Sequence, residues 1–323
     1  MMKVCIVGYG AIGPVHAKAL ENIDGVQIYA ICDTQKERAD DGAKKYNAKA
    51  FYDFDECIND ENIEYVHICT PHYLHFEMIT KALDAGKRVV VEKPAVMKKS
   101  ELDILFKEYD TSKIFPIIQN RTNACIKKIK ELEASGDLGR LKAVKGILTW
   151  SRDENYYNSA SWRGTREYEG GGVLINQAVH TLDLMIYFAG AAESVSAMMN
   201  NYSLKDVIEV EDTVDSYIKF KNGAHGIFYA TNAYSKNSSV QLELEFENKS
   251  FICLKGNLIS DGEVICTDSK KCIGKQYWGS GHARTLQEFY TNKTSLCLDD
   301  VKDTMYTMFA IYESAEKCKE ILL

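Results

Sequence analysis

Val4-Cys5-Ile6-Val7-Gly8-Tyr9-Gly10-Ala11-Ile12-Gly13 decides how the first part of this chain folds. Four apolar residues read as a buried strand, and the strand runs straight into a GxGxxG loop that opens a helix. In that reading Gly8 permits the tight turn, Gly10 lets the backbone approach a pyrophosphate, and Gly13 allows close helix–strand packing. The helix start then offers N–H groups and a partial positive charge to phosphates. Asp33 follows Gly13 by twenty residues. A carboxylate there suits a ribose diol and repels a 2′-phosphate, so NAD is expected over NADP, although Lys36 or Arg38 leaves a phosphate tolerable.

Working outward, strand-like runs recur at Lys3–Val7, Val26–Cys32, Tyr65–Cys69, Arg88–Val91 and Ile114–Ile118, with helical patterns near 11–22, 34–46, 73–85 and 99–109 between them. Continuous apolar strands alternating with helices predict a doubly wound parallel sheet covered on both faces. Beyond residue 120 the pattern changes to a helix, a polar aromatic loop (152–169) and runs near 141–150, 193–201, 209–220, 224–232, 239–246 and 249–255. The expected fold class is α/β: a nucleotide-binding domain over 1–120, and an α+β domain over 121–323 with an open, largely antiparallel sheet. Asp299–Leu323 reads as an amphipathic helix able to pack back on the first domain.

Composition closes several other classes. Of 323 residues, 46% are hydrophobic and 26% charged, which suits soluble globular domains, and a net charge of -7 without a basic stripe argues against nucleic acid. Met1–Val7 reads as a strand and not a signal peptide. Gly170–Ala192, the longest apolar-looking stretch, is broken by Asn176, Gln177, His180 and Asp183, which argues against a membrane span. The ten cysteines form no CxxC pair, and no His/Cys/carboxylate spacing suggests a metal. Reduced thiols and a cytoplasmic location are expected.

Three further stretches carry chemistry. Glu92-Lys93-Pro94 directly follows Val89-Val90-Val91. It falls at a strand's carboxyl end, where ligands of open α/β sheets collect. The Lys93 ammonium there can hydrogen-bond a reacting hydroxyl and favour the developing alkoxide, with Glu92 orienting a ribose or its neighbours. A cis Lys93–Pro94 bond would hold that geometry. Next, Gly170-Gly171-Gly172 leads into a helix on which Asn176, His180 and Asp183 share a face at i, i+4, i+7. His180 is the candidate general acid or base, its ordinary pKa lying near neutrality. Finally, Tyr156, Trp162 and Arg163 in the aromatic loop suit carbohydrate binding, with loop packing or a subunit contact as the equal alternative. Gln119, after the sixth strand, is read equally as a cofactor-side or a domain-junction residue. His75 is expected to shape the turn after Thr70-Pro71, beside the nicotinamide.

Taken together, the chain resembles the glucose–fructose oxidoreductase / inositol dehydrogenase / MocA-like family. The likeness spans nearly the whole length: Gly8–Gly13, Thr70-Pro71 with His75, Glu92-Lys93-Pro94, Gln119-Asn120-Arg121, Trp162-Arg163-Gly164-Thr165, Gly170-Gly171-Gly172, His180-Thr181-Leu182-Asp183 and Glu211-Asp212-Thr213. The resemblance implies an N-terminal Rossmann domain and a C-terminal α/β domain whose open sheet forms homodimers or homotetramers. It also implies hydride transfer between NAD(P) and a hydroxyl of a sugar, sugar derivative or cyclitol, and a substrate contact for His282. One position departs: many relatives carry Asp four residues before the histidine, where this chain has Asn176. An amide cannot take a proton, so Asn176 is expected to hold a substrate hydroxyl while Lys93 and His180 handle the proton. Two rival readings share the motifs: an NAD-retaining glycosidase working by oxidation and elimination, and a non-catalytic NAD-binding regulatory protein.

Overall fold

The computed structural model describes residues 1–268, 281–294 and 296–323. Cys272, Gly279 and Ser280 lie outside them. The chain divides into two compact units: Met1–Gln119 with the described part of Lys270–Asp300, and Asn120–Ser269 with Val301–Leu323.

The first unit holds six parallel strands: β1 (Met2–Val7), β2 (Val26–Cys32), β3 (Lys49–Phe51), β4 (Tyr65–Ile68), β5 (Arg88–Val91) and β6 (Ile114–Pro116), in the order β3-β2-β1-β4-β5-β6. Its helices are α1 (Gly13–Leu20), α2 (Lys36–Tyr46), α3 (Phe54–Ile58), α4 (His75–Asp84) and α5 (Lys99–Glu108). β4 is buried at every residue, and β5 at all but its first, as a sheet covered on both faces requires. β1 is buried from Val4 to Val7. Strand order reverses between β1 and β4, which makes the gap beyond their carboxyl ends the switch-point crevice of this sheet.

In the second unit come α6 (Ala124–Ala134), β7 (Leu141–Thr149), the short α7 (Glu154–Tyr157), α8 (Val179–Ala189), β8 (Ala192–Asn200), β9 (Thr213–Phe220), β10 (His225–Thr231), β11 (Gln241–Phe246), β12 (Ser250–Leu254), β13 (Asn257–Ser260) and β14 (Glu263–Thr267). The nine-stranded sheet runs β14-β13-β12-β11-β7-β10-β9-β8-β15, where β15 is Ile321–Leu322. β7 and β10 pair in parallel and the other neighbours antiparallel. Burial alternates along β9 and β11, so one face meets the core, where α8 packs on β7 and α10 (Lys302–Lys317) on β8. The other face exposes Tyr217 and Ile227, which sit opposite each other across β9 and β10.

Some elements depart from the sequence reading. The terminal helix ends at Lys317, belongs to the second unit and hands the chain to β15. It is instead α9 (Gly281–Tyr290) that returns to the first unit, placing Leu286 and Tyr290 in one apolar cluster with Val4, Ile6, Leu20, Val90 and Phe115. Burying Leu286 fully is worth about 1.5–3 kcal/mol, which helps anchor this late segment to the early sheet. β13 and β14 are short but signalled. Two-residue turns, Lys255-Gly256 and Asp261-Gly262, have positive φ at every residue, the primed geometry that closes hairpins.

Candidate active site

Register lines up the carboxyl edge of the first sheet. Val7 pairs with Ile68 and Ile68 with Val91, so Gly8, Cys69 and Glu92 leave their strands side by side. Gly8 has φ +85, and a Cβ there would lie 2.9 Å from the Cys69 backbone; one on Gly13 would lie 2.4 Å from the Gly8 carbonyl. At Gly10 the nearest atom to such a carbon is the Arg38 Nη1, 3.8 Å away, which leaves the open approach that a pyrophosphate needs. Tyr9, Ala11 and Ile12 complete the loop, and Ile12 caps α1 with no side-chain bond; Pro14 carries no N–H, and Val15 N and His16 N both donate to Ile12 O. Asp33 accepts from Tyr9 N (2.7 Å) through Oδ2 and from Gln35 N (2.8 Å) through Oδ1. This ties the end of β2 to the glycine loop. These residues fit a dinucleotide.

Beneath Lys93 lies a polar network that the sequence reading missed. Glu92 Oε1 meets His16 Nε2 and His282 Nε2, each at 3.0 Å, and Glu92 Oε2 accepts from Lys93 N at 3.3 Å. His16 Nδ1 meets His67 Nδ1 at 2.9 Å, and His67 Nε2 meets the Tyr290 hydroxyl at 2.6 Å. Burial pulls His16 below its ordinary value and His67 well below, and pushes Tyr290 well up. Burial alone would raise Glu92, but bonds from His16 and His282 win and hold it well below the carboxylate range. With both imidazoles neutral and the carboxylate ionised, one proton order satisfies every contact. Tyr290 donates to His67, His67 Nδ1 to His16 Nδ1, and His16 Nε2 to Glu92. His16 Nε2, His282 Nε2 and Glu92 Oε1 lie within 4.8 Å of one another, a donor set able in principle to hold a cation. Each approach to Glu92 is accounted for by a hydrogen bond, so we read a hydrogen-bonded cradle. His16 is visible in hindsight as a polar group on the buried side of α1, and His67 as one inside an apolar strand.

His282, which the resemblance implies as a substrate contact, is 3% exposed and turns Nε2 to Glu92, which it buttresses. His75 has no exposed surface and links Pro94 O (2.7 Å, Nδ1) and Thr70 O (2.9 Å, Nε2), tying the loop after β4 to the one after β5. Burial lowers its pKa. Both acceptors are carbonyls, so the neutral ring donates to one and the imidazolium to both. Between these loops Thr70 and Pro71 stand half-buried, as does Lys93, and the Lys93–Pro94 bond is cis as expected. Gln119 is 6% exposed and packs against Gly281.

In the second unit, Glu211 shapes the start of the histidine helix. It accepts from Gly172 N (2.9 Å), Leu174 N (3.1 Å) and Tyr312 OH (2.9 Å), and a Cβ on Gly172 would collide with its backbone oxygen at 1.8 Å. Residues Leu174–Ala178 form a π-helical turn, not the uniform α-helix assumed from spacing. Asn176 lies in that turn and His180, half-buried, in the first turn of α8. Asn176 Nδ2 donates to Glu169 Oε1. Asp183 drops out of the chemical face: Arg121 grips it through Nε (2.8 Å) and Nη2 (2.6 Å), and Thr304 Oγ1 adds a third bond (2.9 Å). The aromatic loop closes beside this turn. Tyr156 OH meets Arg163 Nη1 (2.6 Å) and Gln177 Nε2 (3.1 Å), while the Arg163 guanidinium stacks 4.5 Å from the Tyr156 ring and 4.6 Å from Trp162.

A parallel sheet with a glycine loop at its switch point, joined to an open antiparallel sheet, defines a two-domain dinucleotide enzyme. The match to known proteins makes this specific. Residues 2–114 match the GFO/IDH/MocA oxidoreductase family with its NAD-binding Rossmann fold, and residues 126–252 match the GFO/IDH/MocA C-terminal domain. The chain belongs to this family and is an NAD(P)-dependent oxidoreductase. It is 26% identical to levoglucosan dehydrogenase of Pseudarthrobacter phenanthrenivorans over 286 residues, covering 78% of this chain and 73% of the relative. It is also 26% identical to myo-inositol 2-dehydrogenase of Thermotoga maritima over 289 residues, covering 85% and 81%. Among solved structures, the WlbA dehydrogenase of Bordetella pertussis, in complex with NADH and UDP-GlcNAcA, superposes with a TM-score of 0.85 at 25% identity, covering 100% of this chain and 98% of that one.

Proposed function

We propose that the chain transfers a hydride between NAD and the carbon bearing a secondary hydroxyl of a sugar, sugar derivative or cyclitol. The observation that carries the reading is the register at the first sheet's edge: Lys93 leaves β5 level with the glycine loop of β1 and with Thr70-Pro71 after β4. The similarity to levoglucosan and inositol dehydrogenases supports the polyol class. Bound nicotinamide supplies the hydride acceptor. Lys93 hydrogen-bonds the hydroxyl oxygen and stabilises the charge that develops there. Glu92, anchored by His16 and His282, fixes the peptide that carries Lys93. His180 takes the proton, and Asn176, with Tyr156, Trp162 and Arg163, holds the remaining hydroxyls. Asp33 selects NAD by meeting the adenosine ribose, and Arg38, Thr70, Pro71 and Gln119 line the cofactor. We further propose a cytoplasmic protein that assembles as a homodimer or homotetramer through the exposed face around Tyr217 and Ile227. In support, nine of the cysteines are free and no described helix is long and apolar enough to cross a membrane.

The test is turnover of a polyol panel with NAD and NADP, followed by nicotinamide absorbance. Loss of the charge-stabilising ammonium in Lys93→Ala should lower kcat by about 10²–10³-fold. Full activity in that variant refutes its role, and equal kcat/KM with NADP refutes the role of Asp33.

A further inference from the structure

Glu169 has no part in the mechanism so far, yet it is 1% exposed and hydrogen-bonded to Asn176. Its second oxygen, Oε2, accepts from Gly164 N at 2.5 Å. Gly164 is held on its other side as well, since its carbonyl, in the next peptide unit, accepts from Glu209 N at 2.7 Å. Each Glu169 oxygen accepts an N–H, so the bond from Nδ2 turns the Asn176 NH₂ toward Glu169 and its Oδ1 to the other side.

We propose that Glu169 is a positioning residue for the substrate site. It holds Asn176 with the carbonyl presented as an acceptor, and it places the site's negative charge one side chain behind the group that meets substrate. This rests on the reading that Asn176 and His180 face the alcohol. The two positions then form one unit of a carboxylate and an amide, and exchanging the two should preserve it.

The fixed Gly164 N–H makes the consequences of substitution specific. In Glu169→Gln the new carbonyl must serve Gly164 N, so the new NH₂ faces Asn176, which has to rotate and present its own NH₂ in place of an acceptor. In Asn176→Asp two carboxylates meet in a buried spot, where both cannot stay ionised. When Glu169→Gln and Asn176→Asp are combined, the introduced amide donates to the introduced carboxylate and Gly164 N keeps its acceptor.

The experiment compares wild type, both single variants and the double variant by kcat/KM on a polyol that wild type turns over, and by Tm against pH. Each single variant should lose about 10- to 100-fold in kcat/KM, the worth of a buried hydrogen bond to a charged group. For Glu169→Gln the loss should fall mainly in KM. Asn176→Asp should lower Tm relative to wild type at neutral pH, and that difference should shrink in acid, as one carboxyl of the pair protonates. The double variant should return to within about ten-fold of wild type in kcat/KM, because the pair's hydrogen bond is restored. Singles that match wild type, or a double variant no better than the worse single, would overturn the proposal. The Tm measurements need no substrate. A wild type that turns over no polyol therefore refutes the functional reading, while the thermal data still decide the pairing.

Discussion

Acid should destabilise this protein well before its carboxylates titrate, and the cause is three histidines. His16, His67 and His75 have no exposed surface, and burial lowers the pKa of each. The folded state therefore binds fewer protons than the unfolded chain, whose histidines titrate near about 6.5. Falling pH favours the state that binds more protons, so stability is full above that value and drops as the pH passes below it. Each histidine contributes up to about 1.4 kcal/mol per pH unit, about 4 kcal/mol for the three together. Glu211 works the other way: burial raises its pKa, so its carboxyl takes up a proton at a higher pH in the folded state than in the unfolded chain. The histidines' slope, at most about 4 kcal/mol per pH unit below about pH 6.5 and reduced by Glu211, is large against a typical total of about 5–15 kcal/mol. Urea unfolding across that range measures it directly. His67→Gln should flatten the slope by one proton, about 1.4 kcal/mol per unit, because the neutral amide titrates nowhere in the window. A midpoint that does not move between neutral pH and pH 5 refutes the proton order assigned to the Tyr290–His67–His16–Glu92 chain.

Two further outcomes follow from other parts of the fold. Asp183→Ala leaves the Arg121 guanidinium buried without its bidentate partner and should cost about 3–5 kcal/mol in chemical denaturation; a change under about 1 kcal/mol would show that the pair is not structural. If the exposed face of the second sheet joins subunits, wild type should scatter light as a multiple of 36.5 kDa and Ile227→Lys should shift it toward the monomer. A wild type that is monomeric at tens of micromolar refutes that face as an interface.

What the sequence makes legible is local. The glycine loop, the apolar strands and the Glu92-Lys93-Pro94 edge each signal through neighbours a few residues apart, because strand period, turn chemistry and helix start are short-range effects. The two-residue hairpins at Lys255-Gly256 and Asp261-Gly262 carry such a signal too, but β13 and β14 are four and five residues long, too short for a clear periodic pattern. The histidines mislead for a different reason. His282 lies 190 residues from Glu92, and Tyr290 lies 223 from His67. Nothing within either segment states that α9 returns to the first sheet. A polar side chain at an apolar position reports only that some partner exists, since burial without one would be too costly. Which partner it finds depends on topology. Asn176 shows the same limit at shorter range. Its amide reads as the loss of a charge, but the carboxylate sits seven residues earlier, across the glycine turn. The charge of a site belongs to the cluster that the fold assembles, so a substitution read at one position has to be weighed against what the chain brings up behind it.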